Sequence, residues 1–173
     1  GFAAGALPMP VSFWKKHWKI KENRGRFVMA NYSISILTRV SDDDVQRLNH
    51  LLVQLSTHAQ LVDVEKLKEI CQHRMLLVTR VKNSIIGMLS LCHSVTPTGS
   101  KWWIEDVVVD ESTRGRGVGK SLVSDAIEYV RTNGGGQIEL TSRPSRVAAN
   151  QLYQSIGFEK KETNVYVMTI KNA

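Results

Sequence analysis

Between Lys101 and Val130 the chain changes its apolar period over a short distance: KWWIEDVVVDESTRGRGVGKSLVSDAIEYV. Trp102 to Asp110 is rich in Trp, Ile and Val, which predicts a strand with at least one buried face. Lys120 to Val130 places Leu122, Val123, Ala126, Ile127 and Val130 at helical spacing, which predicts an amphipathic helix. Arg114-Gly115-Arg116-Gly117-Val118-Gly119 lies between them. The order is therefore strand, glycine-rich basic loop, helix.

That order favours an anion. The first amides of a helix have no intrahelical partner, and the helix dipole adds partial positive charge there. Glycines let the backbone approach a ligand closely and take positive φ. Arg114, Arg116 and Lys120 add charge nearby, so a phosphate is the expected guest. The nucleoside-triphosphate loop needs Gly, four residues, then Gly-Lys-Ser/Thr. Gly119-Lys120-Ser121 fits its end, but position 114 is Arg where its first glycine belongs. The dinucleotide pattern Gly-x-Gly-x-x-Gly fails at Lys120 when counted from Gly115 and at Leu122 when counted from Gly117.

A third pattern, Arg/Gln-x-x-Gly-x-Gly/Ala, is matched in full by Arg114, Gly117 and Gly119. A strand ending Val107-Val108-Val109-Asp110 precedes it, and Ala149-Asn150-Gln151-Leu152-Tyr153-Gln154-Ser155-Ile156-Gly157-Phe158 follows. In these blocks the chain resembles the GNAT superfamily of acyl-CoA-dependent N-acetyltransferases. The second block looks like that superfamily's helix carrying Asn and Tyr and ending in Gly-Phe.

The 173 residues suit one domain with a sizeable core. No apolar run is long enough to span a bilayer. Cys71 and Cys92 lie far apart with neither metal nor redox spacing, so no metal site is expected and a reducing cytoplasm is the natural location. The net charge is +7, but residues 1–29 hold six Lys/Arg against Glu22 and account for +5 of it. The remaining 144 residues carry only +2, which argues against a nucleic-acid partner.

In chain order, residues 1–29 form a basic and aromatic arm and 30–173 the domain. Val11 to Lys21 reads as a short amphipathic helix with Val11, Trp14 and Trp18 on one face. Either a membrane surface or packing of Phe13, Trp14 and Trp18 on protein would use that face; stable membrane insertion is not expected. Met29 could also be the natural start. Strands are expected at Tyr32–Val40, Arg74–Val81, Ile85–His93, Trp102–Asp110, Gln137–Thr141 and Thr163–Ile170. Helices are expected from Ser41 (with Asp42, Asp43 and Asp44 in its first turn), over Val64–Ile70, from Lys120, and from Pro144-Ser145 to Gly157. The fold class is α/β, a mixed sheet with about four helices. It matches the arrangement of the resembled superfamily, in which the sheet is splayed between its fourth and fifth strands.

The resemblance implies site residues. The amides of Arg114, Gly115, Arg116, Gly117, Val118, Gly119 and Lys120 would bind the pyrophosphate of acetyl-CoA. Pantetheine would hydrogen-bond the main chain of the fourth strand at Val107, Val108 and Val109, by strand addition. Asn150 would bond the pantetheine arm, and Tyr153 would protonate the departing thiolate. The alternatives are a surface Asn and a Tyr packed between helix and sheet. On an alternating strand Glu105, Val107 and Val109 point the same way, so Glu105 is the candidate base, or else a structural salt-bridge partner; Asp106 is expected on the opposite face. Ile104-Glu105-Asp106 also resembles the glucosamine-6-phosphate N-acetyltransferase branch. That branch has an aspartate after the fifth strand, where this chain has Thr141-Ser142-Arg143. Arg143 and Arg146 could meet an anionic group or remain solvated. His50, His58 and His73 fall on or near the first two helices and are expected to be structural.

The function implied is acetyl transfer from acetyl-CoA to a primary amine, the acceptor a small molecule and the assembly a homodimer. Protein acetylation and a non-catalytic acyl-CoA sensor are the alternatives, and a P-loop nucleotidase is disfavoured by Arg114.

Overall fold

Two residues make the first tight hairpin. Lys82 and Asn83 both have positive φ, at 53° and 82°, the conformation whose twist matches paired antiparallel strands. The chain is a computed structural model that describes residues 21–22 and 32–170. Most of the expected helix at 11–21, and the boundary at 29/30, lie outside the described residues.

Six strands form one sheet in chain order: β1 Lys21–Glu22, β2 Tyr32–Ile36, β3 Met75–Val81, β4 Ser84–Thr96, β5 Gly99–Val109 and β6 Gln137–Leu140. Neighbours are antiparallel except β5 and β6, which are parallel. The helices among the described residues are α1 Asp42–Leu55, α2 Val64–His73, α3 Val118–Thr132 and α4 Val147–Ile156. Two compact units result, residues 1–141 and 142–173; all six strands and α1 to α3 belong to the first.

Local chemistry explains the helix starts. Ser41 caps α1: its Oγ accepts from Asp44 N, and the Asp44 carboxylate accepts from Ser41 N, both at 3.2 Å. That is the reciprocal capping box, and Asp44 also pairs with Arg80 at 2.7 Å. Asp63 caps α2 by accepting from Lys66 N at 2.7 Å.

The core is layered. Leu48 and Leu51 of α1 and Leu67 and Cys71 of α2 bury against Leu76, Val78, Ile85, Met88 and Val108 on one sheet face. Helix α3 takes the other face. Its Leu122 lies where a Cβ on Gly87 would come within 3.2 Å, and its Tyr129 meets Trp102 edge-on at 6.0 Å. Tyr32 Oη and Ser121 Oγ, 2.7 Å apart, tie β2 to the same helix.

The pairing of β5 with β6 runs from Lys101↔Gln137 to Ile104↔Leu140 and stops there. Strand β5 continues to Val109. Counted from Tyr32, these are the fourth and fifth strands, and they part where the sheet is expected to splay.

Three expectations are corrected. Strand β2 ends at Ile36, and Leu37 N then donates to Leu76 O at 2.8 Å. Helix α4 starts at Val147 rather than at Pro144-Ser145, which sit in a turn. No strand forms over Thr163–Ile170: residues 158–170 carry neither helix nor strand, and Val165, Tyr166, Val167, Met168 and Ile170 are exposed. Alternation describes one strand's two faces, whereas a strand's hydrogen bonds need a neighbour that one segment's pattern does not supply.

Candidate active site

The basic loop is built between a strand end and a helix start. Asp110 N donates to Ile86 O at 2.9 Å and closes β5 against β4. Asp110 then caps a single 3₁₀ turn, Glu111–Thr113: its Oδ1 accepts from Ser112 N at 3.0 Å and from Ser112 Oγ at 2.5 Å. These bonds, the Ser112 hydroxyl first, hold the Asp110 carboxyl below its ordinary range. Gly115 and Gly117 follow with φ of 76° and 80°, a conformation that is costly for residues with a Cβ.

Gly117 is the N-cap of α3, and no side chain caps the helix. A Cβ built at Gly115 or Gly117 would have no atom within 4 Å, so the backbone faces open space. Arg114, Arg116 and Lys120 are exposed around it. Arg114 is partly committed to the loop itself, because its Nε donates to Val109 O at 3.1 Å.

Strand β5 holds the main departure from simple alternation. Met88 pairs with Val108 but Ser90 pairs with Glu105, so Asp106 and Val107 together oppose Leu89. This is a β-bulge, and Asp106 takes a left-handed φ of 53° within it. The extra residue reverses the facing of everything beyond it. Glu105 shares a face with Ser90, Met88 and Val108, the side of α1 and α2. Val109 lies on the α3 side, where its Cγ2 comes within 3.5 Å of a Cβ built on Gly87. The expectation that Glu105, Val107 and Val109 point the same way is therefore wrong. Asp106 accepts from Ser90 Oγ at 3.4 Å, which brings its carboxylate to the Glu105 side rather than the opposite one. Cys92, two residues along the same face, has its thiol pushed up by burial, an effect Arg74 opposes and Glu105 and Asp106 reinforce.

Asn150 and Tyr153 lie on α4, in the second unit. Asn150 Nδ2 donates to Arg143 O at 2.9 Å. Tyr153 is buried, with its ring edge-on to Phe158 at 6.0 Å. Burial raises the phenol's pKa, and Arg146 pulls it partly back. Gly157 ends the helix in the left-handed conformation.

Among the described histidines His50 joins the loop, with Nε2 3.4 Å from Asp110 Oδ2. Sequence reasoning missed Gln54, which bonds Glu111 N at 2.9 Å from 57 positions away; no local pattern could reveal it. Asp110 and Ser112 were legible in principle, since an Asp followed two residues later by Ser favours such a side-chain-capped turn. Among the described residues no group of three or more His, Cys, Asp or Glu could hold a metal ion. Nor is any described helix long and apolar enough to cross a membrane.

A strand, a glycine loop and an uncapped helix start beside a sheet that parts at that strand define a mixed α/β fold with an open, anion-facing stretch of backbone. The chain belongs to the acetyltransferase (GNAT) family, whose model matches residues 45–158. It is 41% identical over 59 residues to glucosamine 6-phosphate N-acetyltransferase of Trypanosoma brucei brucei, covering 34% of this chain and 38% of that one. Against three other curated relatives the match covers only 22% to 26% of their own length. An acetyltransferase of Trypanosoma brucei superposes with a TM-score of 0.65 at 26% identity, covering 80% of this chain and 99% of that one. An aminoglycoside acetyltransferase in complex with a CoA bisubstrate analogue shares the fold, with a TM-score of 0.64 at 17% identity over 81% of this chain and 99% of that one.

Proposed function

We propose that this chain transfers an acetyl group from acetyl-CoA directly to a primary amine of a small molecule. The observation that carries the reading is the uncapped start of α3 behind two left-handed glycines, next to a β5 edge that β6 leaves unpaired beyond Ile104. Amides from Arg114 to Lys120 take the pyrophosphate. The β5 main chain at Val107, Val108 and Val109 takes the pantetheine as an added strand, and Asn150 contributes a further hydrogen bond.

The neutral amine attacks the thioester carbonyl carbon, and the carbonyl oxygen becomes an oxyanion. The C–S bond then breaks, and the thiolate takes a proton from Tyr153. Glu105 accepts the ammonium proton, directly or through water, or holds the ammonium before transfer. Direct transfer, rather than passage through an acyl-cysteine, is supported by the raised pKa of the Cys92 thiol, because the thiolate is the nucleophile. A small-molecule acceptor is supported by the aminoglycoside and glucosamine 6-phosphate enzymes that resemble the chain. Cys71 and Cys92, far apart in sequence with neither metal nor redox spacing, suit a reducing cytoplasm. The exposed apolar run from Val165 to Ile170 is of the kind that a homodimer would cover.

The test is a thermal-shift titration with acetyl-CoA, followed by thiol release across an amine panel. A hundredfold excess over the dissociation constant adds about 2.7 kcal/mol of stability. A shift with thiol release on one amine class supports the transferase and names its acceptor. A shift without turnover on any amine or peptide favours a sensor, and no shift ends the reading of the loop.

A further inference from the structure

A loop that binds anions through its own backbone has to hold its shape without a side chain inside it. Here the support comes from across the chain. Gln54 lies in the last turn of α1, the helix on the sheet face opposite α3. Its Oε1 accepts from Glu111 N at 2.9 Å and from Arg114 Nη2 at 3.5 Å. Its Nε2 donates to His50 Nε2 at 2.8 Å and to Asp110 Oδ2 at 3.5 Å. A carboxamide has two donor hydrogens and two acceptor lone pairs, and these four partners match them one for one.

The partners also fix the direction of the amide. The Glu111 N–H and the Arg114 guanidinium can only donate, so the oxygen must face them. Asp110 accepts, so the nitrogen must face it. The role of His50 Nε2 in this cluster follows the ring's tautomer.

We infer that Gln54 is a positioning residue for the anion loop: through it α1 sets the angle at which the Asp110–Arg114 turn delivers the glycine backbone to the start of α3. The inference rests on the reading of that loop as the acyl-CoA phosphate site. It assigns the contact to a residue that touches no phosphate itself. It also links the two faces of the sheet, because a shift of α1 moves Gln54 and with it the first turn of the loop.

The experiment compares full-length wild type, Gln54→Met, Gln54→Glu and Gln46→Met by calorimetric titration with CoA. Met preserves length and helix propensity while removing all four hydrogen bonds. Gln46 lies exposed on the same helix and controls for the substitution. The expected result is CoA binding about tenfold weaker in Gln54→Met, with Gln46→Met unchanged. Gln54→Glu keeps the acceptor but sets a carboxylate against Asp110, and is expected to bind more weakly than wild type as well. With an amine acceptor in hand, KM for acetyl-CoA rises in Gln54→Met while kcat holds.

A second readout is independent of CoA. The Glu111 amide is expected to exchange slowly in wild type and fast in Gln54→Met. Equal CoA affinity in wild type and Gln54→Met overturns the inference. A wild type that binds no CoA overturns the reading of the loop instead; the Glu111 amide then still decides whether Gln54 holds the turn, and equal exchange in both proteins ends that claim.

Discussion

The guanidinium of Arg114 turns back on the strand it follows, with Nε donating to the carbonyl oxygen of Val109 at 3.1 Å. The same side chain reaches Gln54 Oε1 with Nη2 at 3.5 Å. A charged residue that reads as a phosphate ligand is thus also a brace for the loop. Hydrogen bonds to charged groups contribute about 1.5–3 kcal/mol, and exposure brings this one below that range. Arg114→Ala is expected to lower stability by about 1 kcal/mol and to weaken CoA binding as well. Arg114→Lys is expected to recover little of either, because a single ammonium lacks the planar fork that reaches both acceptors. Urea midpoints and CoA calorimetry on the same samples check this; unchanged values in both remove the brace.

At Gly117 the cost of substitution is conformational and not steric. Its φ is 80°, and a Cβ there would have nothing within 4 Å. Left-handed backbone costs a residue with a Cβ about 1–2 kcal/mol. Gly117→Ala is expected to lose about that much stability, and Gly117→Asn less, since Asn tolerates this region. A Gly117→Ala variant as stable as wild type in urea unfolding contradicts the left-handed cap.

The loop, the helix behind it and the strand before it were legible because each is a local pattern: two left-handed glycines, a 3.6-residue stripe and a β-branched run. What escaped was set by relations between strands. Nothing in Ile104-Glu105-Asp106-Val107 signals that Asp106 and Val107 share one partner, yet that extra residue moves Glu105 to the α1 and α2 face. The expected strand at Thr163–Ile170 alternates well, but alternation carries no information about whether an edge is available. Gln54 was invisible for a similar reason: its partners in the loop, Asp110, Glu111 and Arg114, lie more than fifty positions away.

Asp110 offers a titration with a definite sign. Its carboxyl is held below the ordinary aspartate range, chiefly by the Ser112 hydroxyl. A depressed folded pKa means that the stabilising contribution is present above the unfolded value, about 3.9. It is lost as pH falls through the folded one. Ser112→Ala is expected to move the Asp110 pKa upward and to shift the acid-unfolding midpoint to higher pH. Carboxyl NMR titration of both proteins measures it; an Asp110 pKa that stays put shows that Ser112 is not the cause.

At Gly87 α3 packs close against the sheet. A methyl group there would come within 3.2 Å of Leu122 Cδ1 and 3.3 Å of Val108 O. Leu122 is fully buried, and Val108 belongs to the strand beside it, so neither yields easily. Overpacking of this kind costs about 1–3 kcal/mol. Gly87→Ala is expected to destabilise by an amount in that range, read from thermal unfolding, while Gly87→Val fails to fold. A Gly87→Ala variant at least as stable as wild type shows that α3 has room to move away.

Tyr153 is the residue on which the proposed chemistry turns. Burial raises its phenol above the usual tyrosine value, with Arg146 opposing, so it is protonated across the neutral range and fit to donate. A raised folded pKa contributes stability that is fully present below the unfolded value, about 10. That contribution is lost as pH rises through the folded value. Catalysis follows the same sense: turnover that needs the protonated phenol holds through neutral pH and falls only on the alkaline side. Tyr153→Phe removes the proton while keeping the ring that packs on Phe158. General acid catalysis contributes about 10²–10⁴-fold, so kcat is expected to drop by that order while CoA affinity and melting temperature stay close to wild type. The alkaline limb assigned to this group should vanish in the variant. A Tyr153→Phe enzyme with wild-type kcat would move the proton donor elsewhere and leave Tyr153 as a packing residue of α4.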